Sequence, residues 1–140
     1  MILPMTRKII SVLLENLTNI QAIYLFGSYG TENQLPDSDL DIAVLFDVET
    51  AKKVDFWLLL SAAEKVAKEM QVTKVDLINI RCVNTVFKKE IIMSDRRIYC
   101  ANQYAADEFE MLTLSYYQQL NEERKKILQS FFKTKRAYNV

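Results

Sequence analysis

Phe26-Gly27-Ser28-Tyr29-Gly30, followed eleven residues after Ser28 by Asp39-Leu40-Asp41, is the stretch on which the reading of this chain turns. It holds both of the chain's 2 glycines. A sequence so poor in glycine has placed them where backbone must bend or approach something closely. Before the turn, residues 21–26 (Gln-Ala-Ile-Tyr-Leu-Phe) predict a buried strand that stops at Gly27. Residues 31–38 are polar, contain Pro36 and predict a loop. Residues 39–46 predict a second strand, opening on the two acids. In such a turn Gly27 lets backbone N–H groups come close to a phosphate, and the Ser28 hydroxyl can donate to one of its oxygens. Alternate side chains of a strand share a face, so Asp39 and Asp41 stand side by side. Two carboxylates that close repel each other unless a cation lies between them. Mg²⁺ takes one or two carboxylates together with phosphate oxygens and suits this pair.

A third acid reinforces the pattern. Residues 74–80 (Lys-Val-Asp-Leu-Ile-Asn-Ile) predict a third strand, in which Asp76 is a lone carboxylate in an apolar run. Burying it without a partner is costly. If that strand lies beside the second, Asp76 completes a three-carboxylate site. Two metal ions held there could support an in-line displacement at an α-phosphate with release of pyrophosphate.

Outward from these segments the sequence alternates. Ile9, Ile10, Leu13, Leu14 and Leu17 make a helical stripe over 6–17, with Thr6 as its cap. Residues 50–70 predict one long helix with Val54, Trp57, Leu58, Ala62 and Val66 on one side. A shorter helix is expected at 84–93, a short strand at 97–100, and a last helix, with a break, over 103–135. Strands alternating with helices give an α/β (α+β) domain, a small mixed sheet with helices packed on it and a long C-terminal helix. The expected organisation is a core over residues 1–101, with residues 102–140 forming the closing helix and basic tail of the same domain.

Composition narrows the chemistry. The 140 residues suffice for one core without staples. Lys+Arg and Asp+Glu both number 18, and a net charge of zero argues against broad electrostatic binding of nucleic acid. There is no histidine, so Ser-His-Asp hydrolysis and every mechanism needing an imidazole are excluded. The N-terminal stretch does not read as a signal peptide, and no apolar run approaches the length of a membrane span. Cys82 and Cys100 are far apart and read as reduced thiols of a cytoplasmic protein.

Gly27-Ser28, Asp39-x-Asp41 and the strand acid Asp76 together resemble a minimal nucleotidyltransferase of the DNA polymerase β superfamily. Within it the chain is most similar to the small nucleotidyltransferases that act as antitoxins beside HEPN-domain ribonuclease toxins. Chain length, the Val-Asp-Leu-Ile strand, the helix with Phe87 to Ile92 and the Arg-Ile-Tyr-Cys strand carry that likeness. The resemblance implies a polymerase β-like fold, ATP as donor, and transfer of AMP to a tyrosine of the toxin. It implies that Asp39 and Asp41 hold Mg²⁺, that Asp76 helps hold a second ion and accepts the tyrosine proton, and that Gly27 and Ser28 position the triphosphate. Many relatives carry Arg soon after Gly-Ser, whereas this chain has Tyr29-Gly30-Thr31; Lys74, Arg81, Lys88 and Arg96 are the candidates for the missing cation. Alternatives are a small-molecule nucleotidyltransferase of the aminoglycoside-modifying kind and an antitoxin that only masks its toxin.

From Arg124 to Arg136 the closing helix carries six cations and no acid, with Phe131 and Phe132 among them. That composition suits either a solvated helix end or a surface for a partner protein. Tyr116 and Tyr117 are expected to pack.

Overall fold

Strand β1 (Ile20–Phe26) ends at the glycine turn, and strand β2 (Leu40–Phe46) starts one residue after Asp39. The computed structural model describes residues 4–31, 34 and 39–138. Most of the loop expected at 31–38, Pro36 included, therefore lies outside the described residues. β1 and β2 pair antiparallel, with Phe26 opposite Asp41. Strand β3 (Val75–Asn79) runs parallel to β2, with Asp41 opposite Asp76. Strand β4 (Arg97–Cys100) pairs antiparallel with β1 on its other side. The sheet is thus mixed, in the order β3-β2-β1-β4.

Strand alternation divides the interior in two. Ile23, Leu25, Ile42, Val44 and Phe46 face one layer, made by helix α1 (Pro4–Asn16), helix α2 (Val48–Lys53) and helix α3 (Phe56–Met70). Ile9, Leu13, Ala51, Ala62, Ala63 and Val66 meet them from the helices. Ala22, Tyr24, Ala43 and Leu45 face the other layer, made by helix α4 (Thr85–Met93) and helix α5 (Gln103–Tyr138), through Ile91, Ile92, Ala106 and Phe109. Both faces of β1 and β2 are covered, which is why these strands read as continuous apolar runs rather than alternating ones. Asp41 shares the parity of Ala43 and Leu45, so its carboxylate emerges on the α4/α5 face at the end of the sheet.

Four details differ from the sequence expectation. The first helix starts at Pro4, a favoured first helical position, and Thr6 is buried inside its first turn rather than capping it. The single helix expected at 50–70 is two. Asp47 caps α2 by accepting from Thr50 N–H at 2.7 Å, and Asp55 caps α3 by accepting from Leu58 N–H at 2.8 Å. A capping carboxylate at residue 55 starts a new helix whatever the apolar period across it. Trp57 and Leu58 are then in the exposed first turn of α3, with Trp57 73% accessible. Finally, α5 is unbroken over 36 residues. Its first half packs through Ala106, Phe109 and Thr113, with Tyr117 half-buried and Tyr116 exposed. Residues 121–134 are exposed throughout. No helix among the described residues is long and apolar enough to cross a membrane.

Candidate active site

The site is fixed by strand register. Because β2 and β3 are parallel and in step, Asp41 and Asp76 are direct neighbours, and the antiparallel β1 brings Gly27 to the other side of Asp41. Gly27 has φ +75°, a left-handed conformation that costs a side-chain-bearing residue energy. A Cβ there would collide with Oδ2 of Asp41. The glycine is therefore required twice, by the turn and by the carboxylate beside it.

The electrostatics of Asp41 follow from that crowding. Its carboxyl is pushed up from 3.8 to about 6, first by partial burial, then by the facing Asp76 and by Asp39, with Lys74 pulling the other way. Lys74 Nζ lies 3.6 Å from Asp76 Oδ1, but both groups are well exposed, and such a pair contributes little. Among the described residues no three His, Cys, Asp or Glu side chains converge to hold one ion between them. Asp41 and Asp76 form the close pair, and Asp39, just ahead of β2, acts on Asp41 through its charge.

Residues 27–30 make a turn held from both sides. Thr31 N–H donates to Ser28 O at 3.0 Å, and Gly30 N–H donates to Gln34 Oε1 at 2.7 Å. Arg96, in the link between α4 and β4, donates from Nη1 to Gly27 O at 3.1 Å and from Nη2 to Tyr29 O. Of the four candidate cations, Lys74 and Arg96 are at this end of the sheet. Arg81 is at the opposite end, bonded to Phe46 O and Gln21 Oε1, and Lys88 lies over the Phe109 ring. The grip of Arg96 on the turn left no trace in the sequence, since its partners are backbone carbonyls. Beside Gly27 a cleft of about 320 Å³ opens between the end of β1 and α4, lined by Phe26, Glu90, Ile91, Met93 and Ser94.

A glycine turn, two facing carboxylates and a third nearby can bind a polyphosphate with its counter-cations. The donor set suits Mg²⁺ because the Asp41–Asp76 repulsion is what a divalent ion would relieve, and phosphate oxygens complete its shell.

The sequence matches the family described as "Polymerase beta, Nucleotidyltransferase" over residues 7–104. It is 36% identical over 121 residues to the protein adenylyltransferase MntA of Shewanella oneidensis, covering 86% of this chain and 83% of that protein. Among solved structures, it is similar to a chain from a toxin–antitoxin crystal structure with AMP-PNP. There the TM-score is 0.74 with 32% identity, covering 91% of this chain and 98% of the other. A chain from the complex of tri-AMPylated Shewanella oneidensis HEPN toxin with its MNT antitoxin gives a TM-score of 0.69 and 31% identity. It covers 91% and 96% of the two chains.

Proposed function

The chain belongs to the polymerase β nucleotidyltransferase family, and from that premise we propose that it is an antitoxin enzyme. It transfers AMP from ATP to a tyrosine of a cognate HEPN ribonuclease toxin and so inactivates the toxin. The observation that carries this reading is the facing of Asp41 and Asp76 beside the Gly27 turn, where the sheet register sets two like charges together. Its likeness to a protein adenylyltransferase, and to antitoxin chains from complexes with AMP-PNP and with AMPylated toxin, supports donor and acceptor.

In this mechanism Gly27 and Ser28 seat the triphosphate. The tyrosine oxygen attacks the α-phosphorus, the bond to the β-phosphate oxygen breaks, and pyrophosphate leaves. Asp76 takes the tyrosine proton, while the end of the sheet holds attacker and donor in line. Asp39, Asp41 and Asp76 would hold Mg²⁺, which when bound neutralises charge on the triphosphate. ATP supply and the exposed free thiols of Cys82 and Cys100 suit the cytoplasm.

Residues 1–101 hold the catalytic parts, and residues 102–140 serve as closing helix and docking arm. Ile127, Leu128, Phe131 and Phe132 are exposed on the free half of α5 among Arg124, Lys125, Lys126 and Lys133. Such a mixed apolar and basic face suits a protein partner better than water alone. With its net charge of zero, the chain is not a strong nucleic-acid binder.

The test is label transfer from α-labelled ATP with Mg²⁺ in host lysate, for the wild type and Asp39→Asn/Asp41→Asn. One labelled protein band, seen only with the wild type, supports the proposal and identifies the acceptor. Label in no protein, despite nucleotide binding, removes it in favour of a small-molecule acceptor or masking without chemistry.

A further inference from the structure

We infer that Arg96 is the positioning residue of the nucleotide site. It locks the Gly27–Gly30 turn in its phosphate-binding shape from behind, taking over from the arginine that the turn itself lacks. The inference rests on the nucleotidyl-transfer reading above and adds to it a residue that no motif marks.

One guanidinium bridges two carbonyls of the turn, Gly27 O through Nη1 at 3.1 Å and Tyr29 O through Nη2. The fixed fork of donors makes such a two-point grip, which an ammonium group cannot reproduce. In a trans peptide the C=O and N–H point in opposite directions. With the Gly27 carbonyl drawn to Arg96, the Ser28 N–H is therefore turned to the opposite side of the turn. Arg96 thus sets which way the backbone presents its donors.

Gly30 belongs to the same device. It has φ +76°, and a Cβ there would come within 3.1 Å of Arg96 Nη2. The second glycine of the chain is required by its left-handed backbone, and its bare Cα also leaves room for the guanidinium. The charge of Arg96 has no acid paired with it among the described residues, whereas the adjacent Arg97 is paired with both Asp107 and Glu110. A half-buried cation with no acid paired to it among the described residues, fixed behind a glycine turn, leaves its field for an anion bound at that turn. Partial burial alone lowers the Arg96 pKa, in keeping with a missing counter-charge.

The experiment titrates Mg²⁺ and AMP-PNP into the full chain by calorimetry, for the wild type, Arg96→Ala, Arg96→Lys and, as control, Arg97→Lys. Loss of the grip should weaken AMP-PNP about 10- to 100-fold in Arg96→Ala, the range seen when groups that orient direct ligands are removed. Arg96→Lys should stay weak, low-millimolar methylguanidinium should restore Arg96→Ala, and Arg97→Lys should bind as the wild type does. AMP, lacking the β- and γ-phosphates, should distinguish the variants little. Wild-type binding with an equally tight Arg96→Ala overturns the inference. So does weak binding in Arg96→Ala that methylguanidinium does not restore, because the residue then acts only on folding. A wild type that binds no AMP-PNP at all overturns the nucleotidyl-transfer reading instead.

Discussion

The two ends of the sheet are built on opposite terms. At the end where β1 begins and β2 and β3 finish, polar groups are matched. Arg81 Nε donates to Phe46 O at 2.6 Å and Nη2 to Gln21 Oε1 at 2.9 Å, with the guanidinium over Phe109. The buried Asn79 donates to Ala51 O at 3.0 Å and accepts from Arg81 N–H. At the other end Asp41 faces Asp76, its proton affinity is raised, and Gly27 is held in a left-handed turn against it. Stability is concentrated where hydrogen bonds close on one another. The proposed chemistry belongs to the end where like charges are left for a ligand to reconcile.

The sharpest way to break this contrast is to neutralise the acids. Asp39→Asn/Asp41→Asn should lower AMP transfer by about 10³-fold, the scale of losing a preorganised electrostatic group. Its melting temperature without metal should equal or exceed that of the wild type, measured by scanning calorimetry. A variant that unfolded instead would show that the acids hold the fold. Next in size is Gly27→Ala, where the new methyl displaces the Asp41 carboxylate. A displacement on the ångström scale costs about 10²-fold in rate, read as kcat under saturating ATP.

At the matched end the expected effect moves from rate to stability. Arg81→Met leaves the Phe46 carbonyl without its donor and should cost about 2 kcal/mol in urea unfolding, with AMP-PNP affinity unchanged. The smallest effect is on pH. The Asp41 carboxyl is raised from 3.8 to about 6, so between those values the folded chain binds more protons than the unfolded one. Its contribution to stability therefore falls as pH rises through that window and is flat above it. Because the group is half exposed, the change should be only about 1 kcal/mol. Comparing the metal-free wild type with Asp41→Asn by urea unfolding from acid to neutral pH isolates it. A difference that grew with pH in favour of the wild type would mean that Asp41 is satisfied in the metal-free fold.

Much of this was legible in the chain because it depends on period and spacing. Strands covered on both faces are apolar throughout, so β1 and β2 stood out, and the Gly27-Ser28 and Asp39-x-Asp41 spacing marked what joins them. Asp76 was legible as an acid among apolar neighbours, although only the parallel register of β2 and β3 puts it beside Asp41. The break between α2 and α3 was hidden because Val54, Leu58 and Ala62 continue a helical period across a residue, Asp55, that caps. Trp57 looked like core for the same reason, since periodicity gives a face but not what covers it. Arg96 could not be chosen from four candidates because backbone carbonyls are present at every position.

The crossover between β2 and β3 separates chemistry from connection. Asp41 and Asp76 are set by the ladder between two parallel strands, while α2 and α3 cover one face of the sheet and, through the capped joint at Val54 and Asp55, return the chain to the starting edge. The length of that return does not enter the register. Loop-closure entropy rises only slowly with added residues, about 0.6 kcal/mol for each doubling of a flexible loop. The joint between α2 and α3 is thus a place where this scaffold can accept insertions, or a fused domain, while the paired acids stay in step.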